Sequence, residues 1–404
     1  MNASVHPLYA NPSACDPLWP ESGQAKLAEL TYGVLRASGR LADEIPSVLA
    51  RQKIAGLVRG MNSYYSNLIE GHRTLPQDIE RAMHNEFSAK PKERDNQLLQ
   101  VAHIRTQTAM EARLRAESIN VFSPEFICWL HETFYRDLPV ELQRSETTTG
   151  GHYQIIPGRL RDFPVRVGSH IPPEHSALPD FLARFNQGYN HSGILATHRL
   201  IVCAAAHHRL MWIHPFGDGN GRVGRLFTHA CLIQAKVDSL GLWTISRGLA
   251  RHRQQYYAAL DAADQPRRND RDGRGNLSDA GLAAFCQFFL ETMLDQIEFM
   301  AALLEPSQLA PRMELYAHQV APKAHREELA RLLKALLMEG ELARGRVPEI
   351  IGKSESTAVK VIKLALAQGL AETPSPKGKL QIAFPAKVLD SYFPRLFLDL
   401  PMES

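Results

Sequence analysis

No stretch of this sequence runs uncharged for the roughly 18 residues that a membrane-crossing helix needs, which excludes a transmembrane helix and predicts no membrane partner. Cysteine is scarce. Cys15, Cys128, Cys203, Cys231 and Cys286 contain no C-x-x-C pair and are odd in number, a pattern that fits reduced thiols in a cytoplasm. A charge excess is missing too: 46 Lys and Arg against 43 Asp and Glu leave +3, too little by itself to argue for a polyanionic partner. Residues 1–24 lack a basic n-region and an apolar h-region, so no signal peptide is expected and the predicted location is cytoplasmic. What is present is length and apolar content. At 404 residues and 44% hydrophobic, the chain can bury a sizeable core and suggests two domains.

The chain is organised around His214-Pro215-Phe216-Gly217-Asp218-Gly219-Asn220-Gly221-Arg222-Val223-Gly224-Arg225, a polar loop between two apolar segments of helical length. Leu200, Ile201, Cys203, Ala204, Leu210, Met211 and Trp212 predict a buried helix that Pro215 ends, and a second helix starts near Arg222. Gly219 and Gly221 allow a tight turn that brings bare N–H groups to a ligand at that helix N-terminus, which makes an anion site. Arg222 and Arg225, three apart, share a face and offer two guanidinium forks to phosphate oxygens. Asp218 supplies a hard oxygen of the kind Mg²⁺ prefers when phosphates complete its shell. His214 is the group able to accept a proton near neutral pH.

Two other readings of the loop fail on context. Gly219, Gly221 and Gly224 spell G-x-G-x-x-G, but a dinucleotide fingerprint needs a preceding strand, and here a helical pattern precedes it. His207, His208, His229 and His252 suggest zinc, yet no Cys or carboxylate completes a ligand spacing such as H-E-x-x-H.

The run HPFGDGNGRVGR resembles the Fic motif, H-x-F-x-[DE]-G-N-G-R-x-x-R, at every position. The resemblance implies an enzyme that transfers AMP from ATP to a protein hydroxyl, with Mg²⁺ as cofactor. By position His214 would be the general base and Asp218 the Mg²⁺ ligand. Gly219, Asn220 and Gly221 would form the anion hole, Arg222 and Arg225 the phosphate clamps, and Phe216 the anchor of the loop. Relatives of the Doc type, which phosphorylate, have Lys where this chain has Gly221, so the glycine favours AMP transfer. Tyr256 and Tyr257 follow where relatives carry an aromatic residue near the adenine, or they belong to the core. His207 resembles a position that supports the loop.

From Ala25 to about Leu138 the pattern is helical. Leu57, Met61, Tyr64, Tyr65 and Leu68 recur at helical spacing and Gly71 supplies a stop. This helix, about residues 47–71, ends in Ser66-Asn67-Leu68-Ile69-Glu70-Gly71, which looks like the Fic inhibitory motif [ST]-x-x-x-E-[GN]. Its implied role is inhibition: Glu70 paired with Arg225 would occupy a fork the γ-phosphate otherwise uses, and its charge would repel the triphosphate. Downstream, Thr147 to Ile156, a turn at Pro157-Gly158 and a return through Pro164 to Gly168 read as a hairpin. In the resemblance this flap, about 150–168, docks a target protein as an added strand. Relatives carry Gly-x-x-Arg before it, whereas Gly151 is followed here by Gln154.

The expected fold is mainly α: a Fic-type helical core with a β-hairpin flap, plus a C-terminal winged-helix domain. The boundaries expected are an N-terminal tail over 1–24, the Fic domain over 25–305, a linker over 306–322 on the strength of three prolines, a winged helix-turn-helix over 323–386 and a C-terminal tail over 387–404. Lys353, Lys360, Lys363, Lys377 and Lys379 leave DNA open as a partner, against Glu355 at the start of the would-be recognition helix. Protein contact and a homodimer stay open beside it. The leading functional expectation is a self-inhibited adenylyltransferase acting on a Ser, Thr or Tyr hydroxyl of a target protein or of itself. The alternatives are a DNA-binding regulator with a nucleotide-sensing core, and a Fic enzyme that removes AMP with Glu70 orienting water.

Overall fold

A computed structural model describes residues 10–146, 151–190 and 196–398. The first part is α1 (Gln24–Asp43), α2 (Val48–Ile69), α3 (Pro76–Met83), α4 (Pro91–Ala116), α5 (Pro124–Tyr135) and a short antiparallel pair, β1 (Arg144–Glu146) and β2 (His152–Gln154). The centre is α6 (Leu178–Tyr189), α7 (Arg199–Ile213), α8 (Asn220–Gln234), α9 (Ser246–Arg251), α10 (Arg253–Asp264) and α11 (Asp279–Leu304). Then come α12 (Pro306–Val320), α13 (Arg326–Glu339), β3 (Glu341–Leu342), α14 (Val347–Ile351), α15 (Glu355–Ala367), β4 (Ala371–Glu372), β5 (Leu380–Ile382) and α16 (Leu389–Tyr392). Among the described residues, no helix is long and apolar enough to cross a membrane.

Local sequence sets the helix starts. Ser47, Ser123 and Ser278 cap α2, α5 and α11, each accepting a hydrogen bond from a backbone N–H three residues on, and Pro124 stands at the first turn of α5. The apolar run before the loop becomes α7, buried on nearly all sides between α6, α8 and α11. Each leucine or isoleucine it buries contributes on the order of 2 kcal/mol. The loop after it is therefore fixed at both ends by core helices. A buried polar network pins α2 to the same core. Arg59 donates to Glu111 (2.9 Å), Asn62 to Gln107 (2.8 Å) and Thr244 to Asn62 (2.6 Å), while His229 of α8 lies 3.3 Å from Glu111.

Several expected boundaries change. The strand pairing with β2 precedes it: Arg144 faces Gln154 and Glu146 faces His152, and the predicted return over 164–168 forms no strand, only an isolated bridge from Val167 to His170. Residues after β2 are diverted because the Gly158 N–H donates to His131 (2.9 Å) and Pro157 and Pro164 cannot donate to a ladder. Thr147 to Gly150, part of that expected hairpin, lie outside the described residues. The expected linker over 306–322 is the helix α12. Pro306 occupies its first turn, where a missing N–H costs nothing, Pro322 falls beyond its end, and Leu309, Met313 and Ala317 form a buried stripe that offsets the bond lost at Pro311.

The described parts of both expected tails are packed. At the front, the Asp279 carboxylate accepts from the N–H groups of Glu21 (2.6 Å) and Ser22 (2.8 Å), Arg209 donates to the Pro17 carbonyl (2.9 Å), and Ala14 and Cys15 are buried. At the back, Val388, Leu389, Tyr392, Phe393 and Leu396 are buried. Tyr65 of α2 donates to the Leu396 carbonyl (3.1 Å) and accepts from the Leu398 N–H (2.8 Å), and Tyr64 donates to the Leu398 carbonyl (3.0 Å). The C-terminal unit before it sets α13, α14 and α15 against a three-stranded antiparallel sheet of order β3-β5-β4. Leucines 329, 332, 333, 336 and 337 of α13 fill its core.

Candidate active site

The loop from 214 to 219 is held from three sides. His214 ends α7 in the left-handed region (φ 49°, ψ 62°), an uncommon conformation for a residue with a side chain. Buried Arg161 holds it there: its Nε donates to the His214 carbonyl (2.9 Å), its N–H to the Pro215 carbonyl (3.0 Å) and its Nη2 to the Pro173 carbonyl (2.6 Å). Burial pulls the Arg161 guanidinium down to about 10, still charged at neutral pH. Asn220 closes the loop on itself, donating to the Phe216 carbonyl (2.8 Å) and accepting from the Phe216 N–H (3.0 Å). The Phe216 ring is fully buried and stacks on His131 of α5 (centroids 4.0 Å apart). His131 accepts from Gly158 at one nitrogen and donates toward the Asp218 carbonyl (3.3 Å) at the other, and the Tyr153 hydroxyl of β2 bonds the Gly217 carbonyl.

Gly219 is left-handed (φ 78°) and caps α8. The helical ladder begins with Val223 donating to the Gly219 carbonyl (2.9 Å), so the N–H groups of Asn220, Gly221 and Arg222 point out of the helix end. The side chain of Asn220 is committed to the loop, which leaves only its backbone for an anion. Arg222 donates to Asp218 (3.1 Å) and to the Tyr135 hydroxyl (3.0 Å), and its Nε is buried without a partner. Asp218 remains 41% exposed in its side chain and also accepts from the Tyr135 hydroxyl (2.8 Å). Burial opposes its charge, but Arg222 and Tyr135 outweigh burial and hold the carboxyl below its ordinary range. A charged, partly open carboxylate supplies an oxygen ligand that fits Mg²⁺, and the N–H groups beside it would hold the phosphates that complete the shell.

At His214, burial first and then nearby Arg161 and His170 bring the imidazole down to about 4. It is neutral at pH 7 and able to take a proton.

The end of α2 reaches into this cradle. Arg225 donates from Nη2 to Glu70 (2.6 Å) and to the Ser66 carbonyl (2.8 Å), and from Nε to the Ser66 hydroxyl (2.9 Å). Glu70 is the C-cap of α2, and Gly71 turns the chain away at φ 86°. Burial opposes the Glu70 charge, but Arg225 and Arg222 keep its carboxyl below the ordinary value. Gly221 makes room for it, since a Cβ there would collide with Glu70 Oε1.

The two tyrosines separate. Tyr256 is buried and its hydroxyl bonds His207 (2.7 Å), whose other nitrogen bonds Thr228 (2.7 Å); it belongs to the core, which corrects its expected place beside a base. Tyr257 is 43% exposed and lines a pocket of about 370 Å³ with Val167, His170, Met211, Trp212 and Leu260. That pocket adjoins the cradle, because Met211 also lies against Gly224 and the Tyr257 hydroxyl reaches the Ile69 carbonyl (3.4 Å). Sequence reasoning missed Arg161, His131 and Tyr135. Each is remote from the loop, and an aromatic or basic residue in an amphipathic segment carries no local mark that separates support of a site from ordinary packing.

Residues 121–232 match the Fic/DOC family. The chain carries a Fic domain. Within it, the chain is 34% identical over 116 residues to a protein adenylyltransferase Fic from Culex quinquefasciatus and 41% identical over 86 residues to one from Drosophila erecta. These matches cover 28% and 21% of this chain and 22% and 17% of the relatives, so the similarity spans about a fifth of the curated relatives' length. The Fic fold extends further than the sequence match. A Fic family protein from Desulfovibrio desulfuricans superposes with a TM-score of 0.54 at 19% identity, over 90% of this chain and 98% of that one. Fic-1 from C. elegans gives 0.54 at 15% identity, over 70% and 74%.

Proposed function

We propose that this protein is a self-inhibited protein adenylyltransferase. The carrying observation is the convergence of neutral His214, charged Asp218, the free N–H groups of α8 and the paired Arg222 and Arg225 at one helix start. The N–H groups of residues 220–222 and the unpartnered Nε of Arg222 receive the phosphates of ATP. The nucleotide base enters the pocket under Tyr257 and Met211. Mg²⁺, held by Asp218, would neutralise phosphate charge when bound. A Ser, Thr or Tyr hydroxyl of a target segment, docked along the hairpin, loses its proton to His214 Nε2 or Nδ1 as its oxygen bonds the α-phosphorus. The bond from the α-phosphorus to the bridging oxygen breaks, and pyrophosphate leaves. Arg222 and the helix N–H groups meet the charge that develops on the transferring group.

The inhibited state follows from the Glu70 contact: its carboxylate takes the Arg225 fork that a terminal phosphate would use and places a negative charge beside it. Incubation with ATP and Mg²⁺ followed by intact-mass analysis tests the reading. Glu70→Gly is expected to gain AMP on itself or on added protein much faster than the parent, and Glu70→Gly with His214→Ala to gain none. An unchanged rate in Glu70→Gly removes the inhibitory claim, and no AMP in any variant removes the enzymatic one.

For the C-terminal unit we infer a winged helix-turn-helix, on the support of its order α13, β3, α14, α15, β4, β5 and its sheet order. A DNA role draws less support: Lys353 is paired with Glu328 (3.3 Å) and Lys379 with Glu341, so two of the five lysines already have carboxylate partners. A gel shift at low salt is expected to show weak or no binding, and tight salt-sensitive binding reverses that expectation.

A further inference from the structure

Asp218 and Arg222 are bound by a third residue. The Tyr135 hydroxyl donates to Asp218 Oδ2 (2.8 Å) and accepts from Arg222 Nη2 (3.0 Å), while Arg222 Nη2 itself donates to the same Oδ2 (3.1 Å). One carboxylate oxygen therefore receives two side-chain donors, while the carboxylate side chain as a whole stays 41% exposed. The ring of Tyr135 is fully buried and lies directly under Gly219, where a Cβ would strike its hydroxyl edge. It packs against the turn that starts α8. Around it, Gln143 holds the Tyr135 carbonyl (3.0 Å) and the His131 ring lies 4.7 Å away, so the phenol is fixed from the backbone outward. Arg222 also lies 5.1 Å over the ring of Phe134, the preceding residue of α5.

We infer that Tyr135 is a positioning residue of this active site: its hydroxyl, shared between Oδ2 of Asp218 and Nη2 of Arg222, fixes the carboxylate in the orientation in which it would meet the divalent cation. The inference rests on the assignment of Asp218 to Mg²⁺ made above. Without the hydroxyl, Asp218 Oδ2 would keep Arg222 as its one side-chain donor and both side chains would lose the buried group that orients them. An outer partner of this type is worth roughly 10–100-fold in metal affinity where such partners have been removed.

The test uses the full chain with Glu70→Gly, so that nucleotide enters, and reads binding rather than turnover. ATP affinity is measured by calorimetry in EDTA and across a Mg²⁺ titration. The parent variant is expected to bind ATP more tightly as Mg²⁺ rises. Adding Tyr135→Phe is expected to shift the Mg²⁺ concentration for half of that gain upward by about tenfold or more. Adding Asp218→Asn should remove most of the gain, and Tyr135→Phe on top of Asp218→Asn should change nothing further, because the phenol acts through the carboxylate. An unchanged Mg²⁺ midpoint in Tyr135→Phe overturns the inference. So does an equal loss of ATP affinity with and without Mg²⁺ accompanied by a lower melting temperature, which marks a structural role only. If Glu70→Gly binds no ATP at all, the nucleotidyltransferase reading fails first. If it binds ATP but Mg²⁺ adds nothing even with Tyr135 and Asp218 intact, the metal assignment fails and this inference with it.

Discussion

The depressed imidazole of His214 gives the residue-scale prediction with a definite sign. A base works while unprotonated, and burial with Arg161 and His170 places its protonation near 4 instead of at its ordinary 6.5. For Glu70→Gly, kcat/KM is therefore expected to stay flat from pH 8 down past 6 and to fall tenfold per unit only below about 4, since this ratio reports the free enzyme. Initial rates across pH with unfolding followed in parallel check it, and an acid limb centred near 6.5 would contradict the placement of this side chain. At this scale the sequence is most informative where chemistry is contiguous. His214, Asp218, Gly219, Asn220, Gly221, Arg222 and Arg225 sit within twelve residues, and the chain brings them together by a single turn. Glu70, far away in sequence, was legible only through its likeness to a short motif. Tyr135, Arg161 and His131 act through tertiary contacts, which spacing does not reveal, and of the two readings open for Tyr256 the structure favours the core, where its hydroxyl bonds His207.

Among elements, α2 matters most, because its last turn carries Ser66 and Glu70 while its middle is fixed by Glu111 of α4. Burial opposes the Glu111 charge, yet His229 and Arg59 outweigh it and pull the carboxyl from 4.5 to about 2. A depressed carboxyl stabilises the fold above its unfolded value and loses that contribution as pH falls toward the folded one. Glu111→Gln is thus expected to cost on the order of 3 kcal/mol at neutral pH by leaving Arg59 and His229 without their anion. In urea titrations the gap from the parent should narrow as pH drops from about 4.5 toward 2. A gap independent of pH would mean that shape, not charge, carries the contact. Element existence was legible from apolar periodicity; pairing and termination were less so. The sequence places the hairpin one strand later than the structure does, because a turn at Pro157-Gly158 looks alike whether it joins two strands or leads away from them. Residues 306–322 read as irregular from their prolines because the Leu309, Met313 and Ala317 stripe that makes them a helix is only three residues strong.

Across the whole molecule, the described terminal segments return to the helices that hold the site. Phe397 lies edge-on to Tyr64 (5.4 Å) and parallel to Tyr65 (6.5 Å), and the backbone around it bonds both hydroxyls. These tyrosines immediately precede Ser66. Phe397→Ala is expected to cost roughly 2 kcal/mol in stability and to raise the basal AMP transfer of the otherwise unaltered chain severalfold. Thermal unfolding and intact-mass analysis read the two effects, and lost stability with no gain in transfer would show that α2 stays seated without this contact. Stretches 1–24 and 387–404 read as tails because neither has a long periodic run; the described parts pack through scattered apolar side chains and contacts such as Asp279 with the Glu21 N–H.

Position 221 has room for a hydrogen atom and nothing larger while Glu70 is seated. In the proposed mechanism, exchanging this glycine for lysine would therefore unseat Glu70 from Arg225 and set a cation beside the polyphosphate in the same step.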